Sequence, residues 1–275
     1  MSAAASTGTG AQVRWKTDLA VAAAWGLLAG LSAVAVLPYL LQLTPGLAEK
    51  IAVPMPVFAA IQGVQAFVLL GLLAFLGLRM GHRVGLGSPL VQGLLARRAP
   101  AWRQLEPGRA VLLGALAAVA VIGLSLVLDP LLPEPLHPIA DPGASRSALN
   151  GLLASFYGGI AEELQLRLFL MTLVVWLATA FGRRQASPAV FWVAIVVAAV
   201  LFGIGHLPAA GKIWGLGEIV VVRTLVLNAV AGIVFGWLYW KRGLEMAMLG
   251  HFSADIVLHV LAPLAGSALA GGVAP

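Results

Sequence analysis

Apolar runs of about 20 residues or more recur along this chain, and each is long enough to cross the roughly 30 Å of a bilayer's hydrocarbon core. They lie at about 19–43, 54–78, 110–128, 149–181, 188–206, 219–240 and 244–264. Turn chemistry separates them, as at Thr44-Pro45-Gly46, Gly85-Leu86-Gly87-Ser88-Pro89, Glu106-Pro107-Gly108, Asp141-Pro142-Gly143 and Lys241-Arg242-Gly243. The expected fold is an all-α polytopic transmembrane bundle of about seven spans, with six or eight as the bounds. Composition agrees, since 60% of the 275 residues are hydrophobic and 10% charged, with a mean hydropathy of +0.96. An ordinary soluble domain carries about a quarter charged residues, so soluble enzyme classes drop out. The first run exceeds the 7 to 15 residues typical of a signal-peptide core and has no small-residue cleavage site after it, so it reads as an uncleaved span.

The net charge of +6 is not the signature of a nucleic-acid partner, because its lysines and arginines sit in short clusters between apolar runs. If successive connectors alternate sides, one side receives twelve: Arg14, Lys16, Arg79, Arg83, Arg97, Arg98, Arg103, Arg109, Arg183, Arg184, Lys241 and Arg242. The other receives Lys50, Arg146 and Lys212, while Arg167 and Arg223 fall within spans. The positive-inside rule then puts the N-terminus on the cytosolic side of a cell membrane, read here as bacterial, and the C-terminus outside. The chain divides into a polar tail at 1–18, N-terminal spans with a basic loop at 19–146, a second set of spans at 147–265 and a short tail at 266–275. Gly26-x-x-x-Gly30 and Gly232-x-x-x-Gly236 put small residues on one helix face, which favours close helix contact.

The fourth run breaks the apolar rule with Ala161-Glu162-Glu163-Leu164-Gln165-Leu166-Arg167. Each intramembrane charge costs on the order of 3 kcal/mol, so charges placed there need a reason. Glu163 and Arg167 stand one helical turn apart and can pair. Glu162 points about 100° away, without that partner, and is free to face a cavity. A structural ion pair would account for these residues alone. Two further spans carry histidine, in Phe202-Gly203-Ile204-Gly205-His206 just before Pro208, and in Gly250-His251-Phe252-Ser253-Ala254-Asp255. His251, Asp255 and His259 repeat every four residues and share a face.

A carboxylate beside a histidine in a water-poor pocket is suited to activating one water molecule for hydrolysis. With Glu163 held by Arg167, Glu162 is the freer base. Other hydrolytic designs are missing from the sequence. There is no cysteine, no H-E-x-x-H and no G-x-S-x-G. The absence of cysteine also rules out disulfides, thiolate zinc sites and iron–sulfur clusters. Glu162, His206, His251 and Asp255 would also form a nitrogen and oxygen ligand set for a divalent metal such as zinc, so no cofactor is the first expectation and zinc the alternative.

In their order and separation, Glu162-Glu163-x-x-x-Arg167, Phe202-x-x-x-His206 and His251-x-x-x-Asp255 resemble the EExxxR, FxxxH and HxxxN/D motifs of one family. It is the CAAX prenyl-protease and bacteriocin-processing (CPBP) family, whose proteolytic members are glutamic intramembrane proteases. The resemblance covers about Leu149–Leu264 and leaves the first three spans without a motif. It implies a multi-pass hydrolase cleaving a membrane-associated or lipid-anchored protein or peptide. Glu162 with His206 would activate water, Arg167 would hold Glu163, and His251 with the residue four later would stabilise the oxyanion. Here that residue is Asp255, not the amide of better-known members; an ionised Asp cannot donate, so the role passes to His251, with Asp255 fixing its ring.

Counting helical rise places Glu162 and His206 about 28 Å from their cytosolic ends but His251 only about 13 Å from Arg242, so tilt or shifted starts must reconcile the three. The competing readings are a transporter or channel with a buried proton relay, and an immunity or partner protein that keeps the fold without the chemistry. A transporter predicts inverted repeats, and the sequence shows none.

Overall fold

The computed structural model describes residues 15–44, 46–98, 102–137, 142–180 and 186–271. Most of the polar N-terminal tail with Arg14, as well as Pro45, Asp141, Arg183, Arg184 and the end of the C-terminal tail, lie outside the described residues. Among the described residues there is no strand, and seven helices are long and apolar enough to span a membrane. We label them α1 (Trp15–Leu43), α2 (Met55–Val84), α3 (Pro107–Leu128), α4 (Ala144–Ala180), α5 (Pro188–Trp214), α6 (Glu218–Arg242) and α7 (Leu244–Ser267). The chain is therefore a multi-pass membrane protein.

Local chemistry sets several of the boundaries. Proline occupies the first turn of α2, α3 and α5, where its missing N–H loses nothing. Gly85, at φ 73°, closes α2 in the left-handed conformation, its N–H reaching the Gly81 carbonyl. Pro208 corrects the sequence reading, which ends the fifth span there; α5 runs on to Trp214. Losing one backbone bond at the proline costs less than unwinding a helix in hydrocarbon, where each freed N–H or C=O stays unsatisfied.

The helix ends alternate as the charge pattern requires. At one end Asp18 of α1 takes hydrogen bonds from Arg79 at 3.1 Å and His82 at 2.9 Å, both on α2. At the same end Glu106 pairs with Arg242 at 2.8 Å, and the Leu244 N–H reaches the Gly87 carbonyl at 3.0 Å. At the opposite end Asp129 pairs with Arg223, and Gln42 joins Ser147 and Asn150. Apolar side chains such as Leu27, Leu31, Val64, Val68, Leu112 and Val193 point outward, as a lipid-facing surface demands.

α1 packs along α2, α5 along α6, and α7 sits at the centre against α3, α4 and α6. Small residues make the close approaches. A side chain at Gly26 or Gly30 would press on the α2 backbone at Phe67 or Gly63, and one at Gly236 on Ile195 of α5, so both glycine pairs pack as expected. Within α4 the stretches Tyr157–Glu162 and Leu164–Met171 are wound as π-helix, and so is Ile256–Leu261 of α7. Such widened turns are rare and occur mostly at functional sites.

Candidate active site

Arg167 anchors the polar centre and is wholly buried. Its Nη1 donates to Glu163 Oε1 at 2.8 Å, its Nη2 donates to the Gly232 carbonyl of α6 at 3.1 Å, and its guanidinium lies over the rings of Phe202 and Phe235 at 5.3 and 5.4 Å. Gly232 is small for this contact, because a Cβ there would crowd Ala199 and meet Arg167 Nη2. The same Glu163 oxygen accepts a second hydrogen bond, from His251 Nδ1 at 2.8 Å. Phe235 stacks on the His251 ring at 4.4 Å, with Phe202 edge-on at 5.5 Å. Through Arg167 and His251, one carboxylate thus links three helices and fixes the imidazole.

This corrects the expected role of Asp255. The ring N–H that the sequence reading assigns to Asp255 goes to Glu163, while Asp255 Oδ1 stands 3.7 Å from the other nitrogen, Nε2. Glu162 Oε2 is also 3.7 Å from Nε2. His251 therefore turns its free nitrogen toward Glu162 and Asp255. Among the described residues Glu162 has no Arg partner, and its side chain keeps 21% of its accessible surface, against none for Glu163.

His206 Nδ1 lies 2.9 Å from the Phe202 carbonyl. A carbonyl can only accept, so Nδ1 carries the proton and Nε2 is left with its lone pair in the neutral ring. Glu162, His206, His251 and Asp255 line one cavity of about 850 Å³. All six expected site residues therefore converge, four on the cavity and two, Glu163 and Arg167, behind it. The depth discrepancy resolves in the same geometry. α7 begins below the protein surface, under the short helix Pro89–Leu95, where Glu245 accepts hydrogen bonds from Ser88 Oγ at 2.5 Å and Val91 N–H at 2.9 Å. α4, with 37 residues, is about 55 Å long and overshoots the hydrocarbon, so counting from its end overstates the depth of Glu162.

Three further residues stand at the cavity beside the six expected ones. Tyr39 of α1 brings its hydroxyl within 3.4 Å of His259 Nδ1, and His259 Nε2 is 4.0 Å from Asp255 Oδ1. The histidine spacing on α7 pointed to His259, but nothing in α1 pointed to Tyr39. Gly158 is the third, since a Cβ there would overlap the Asp255 carboxylate and touch His251 Nε2. Gly158→Ala is expected to lower turnover about a hundredfold by displacing these groups, as misplacement of about 1 Å does. Thermal stability should not fall, because Ala favours helix over Gly by about 0.5–1 kcal/mol. Wild-type turnover in that variant would show that Asp255 needs no fixed position.

Among the described residues no group of three or more His, Asp and Glu side chains is placed to hold a metal ion. Turnover that neither falls with chelator nor rises with added zinc is the expected result. Loss with chelator and recovery with zinc would instead make the metal the electrophile.

Fold and site together define a multi-pass membrane protein whose polar centre is a glutamate, histidine and arginine cluster buried among four helices. Residues 144–257 match the family model described as type II CAAX prenyl endopeptidase Rce1-like, in agreement with the CPBP motifs. The match runs from the start of α4 past Asp255 and includes all six site residues, but not α1 to α3 or His259. No curated protein and no solved structure matches the chain.

Proposed function

We propose that the protein is an intramembrane endopeptidase that hydrolyses a peptide bond in a membrane-associated or lipid-anchored protein or peptide, using water activated by Glu162 and His206. The family match supports a CAAX-type endopeptidase. The observation that carries the mechanism is that Glu162 and His206 line one cavity while Glu163 holds His251 from behind.

In this scheme the water oxygen attacks the scissile carbonyl carbon and its proton passes to the Glu162 carboxylate. The oxyanion forms beside His251, whose Nε2 donates to it in the imidazolium form, since Nδ1–H is already given to Glu163. Collapse breaks the C–N bond. The proton held by Glu162, relayed by His206, goes to the leaving nitrogen, giving a carboxylic acid and an amine. Asp255, like Glu162, stands 3.7 Å from His251 Nε2 and lines the cavity that would hold the substrate. The test is cleavage of a lipidated membrane peptide by purified protein, with the fragments identified by mass.

We further place the N-terminus in the cytosol. Cavity residues come from the parts of the helices away from the basic ends, such as Leu40 and Leu43 of α1, Gln62 and Gln65 of α2, and Ser125 of α3. The cavity then opens toward the non-cytosolic half of the bilayer. Reporter fusions near Arg97 should be active only on the cytosolic side, and an external signal there inverts the topology.

A further inference from the structure

Among the residues lining the cavity, Arg223 is the one lysine or arginine. It lies on α6 five residues after Glu218, near the end of the helix away from the basic ends. Its Nε donates to Asp129 Oδ1 at 2.6 Å, and its guanidinium sits 5.4 Å over the Trp214 ring. These two contacts fix the plane of the fork. They use only one of its nitrogens, and Nη1 and Nη2 have no hydrogen-bond partner among the described residues. The side chain keeps 19% of its surface accessible. A guanidinium held at Nε, with its terminal edge free, is arranged to take a carboxylate in two parallel hydrogen bonds.

From Arg223 the cavity wall continues along α6 through Leu227, Ala231 and Phe235, the last of which stacks on His251. Twelve residues separate Arg223 from Phe235, about 18 Å along the helix. An extended chain covers that distance in about five residues. We propose that Arg223 is the anion subsite of the cavity and binds the C-terminal carboxylate of a substrate that ends about five residues beyond the scissile bond. The subsite rests on the endopeptidase reading for its purpose, but its geometry stands apart from the catalytic groups. Asp129 aligns the fork and also opposes the incoming anion, so Asp129→Asn, which can still accept from Nε, should strengthen carboxylate binding.

The test uses a lipidated peptide pair, identical except for a C-terminal carboxylate or amide, in zwitterionic vesicles. Binding to Glu162→Gln protein and cleavage by wild type are measured in parallel. The carboxylate form should bind roughly tenfold more tightly and show the lower KM, as expected for a charge-assisted bidentate contact. That ratio should collapse in Arg223→Gln, fall in Arg223→Lys, rise in Asp129→Asn, and vanish for peptides extended ten residues past the bond. If wild type cleaves neither peptide while the Glu162→Gln protein still prefers the carboxylate, the endopeptidase reading falls and the anion subsite stands. Equal binding of both forms overturns the subsite, and it is also the result expected if a lipid phosphate occupies Arg223. A ratio that survives in monodisperse Arg223→Gln protein overturns it as well.

Discussion

Glu162→Ala and His206→Ala should each lower hydrolysis by about 10²–10⁴-fold, the range for losing a general acid or base, while the protein still extracts as a monodisperse species. The expectation of retained folding comes from the site. Glu162 and His206 face the cavity, and neither is the sole partner of a fully buried charge. Removing either therefore leaves no orphaned ion in the core, in contrast to the Glu163 and Arg167 pair behind them. Glu162→Gln is the sharper variant, because it keeps the volume and loses only the proton acceptor. Turnover of defined peptide by purified variants is the measurement. If either alanine variant keeps near-wild-type turnover, water activation by this pair is wrong.

What the sequence could reveal follows the physics of each feature. The spans were legible because bilayer thickness imposes a minimum length on any helix that crosses it, and six of the seven C-terminal ends fall within about six residues of those expected. The fifth misses by more because Pro208 is a strong stop in water and a weak one in lipid. The ion pair from Glu163 to Arg167 was legible because one helical turn separates them, and it persists although the flanking stretches are π-wound. The partner of His251 was not. Local spacing offers Asp255, four residues away, whereas the hydrogen bond goes to Glu163, 88 residues distant in sequence. Only helix packing decides between them. Depth failed for a related reason, since counting residues from the end of α7 assumes that end lies at the membrane surface, and Pro89–Leu95 covers it. Tyr39 was invisible because a single tyrosine near the end of an apolar run is also what an interfacial belt produces.

The largest effect on stability should come from halving the buried pair. Glu163 and Arg167 have no accessible surface, and Glu163 Oε1 alone serves both Arg167 and His251. Glu163 Oε2 and Arg167 Nε have no hydrogen-bond partner among the described residues, so the centre has no spare contacts to compensate a loss. Arg167→Met leaves a buried carboxylate with only the imidazole beside it, and Glu163→Gln leaves a buried guanidinium with no counter-charge, only neutral acceptors and two aromatic faces. Each single change should cost about 3–5 kcal/mol, read as lower thermal stability in detergent. The double variant, Glu163→Gln with Arg167→Met, removes both charges and should recover much of that stability, because no uncompensated charge is then left in the core. Activity should not return with it. The amide oxygen that Glu163→Gln introduces can still accept from His251, but the carboxylate that balances the imidazolium during oxyanion formation is gone. Recovery of stability without recovery of turnover is the signature of a pair kept for the chemistry of His251. Full turnover in the double variant would show that the pair serves only to hold the helices together.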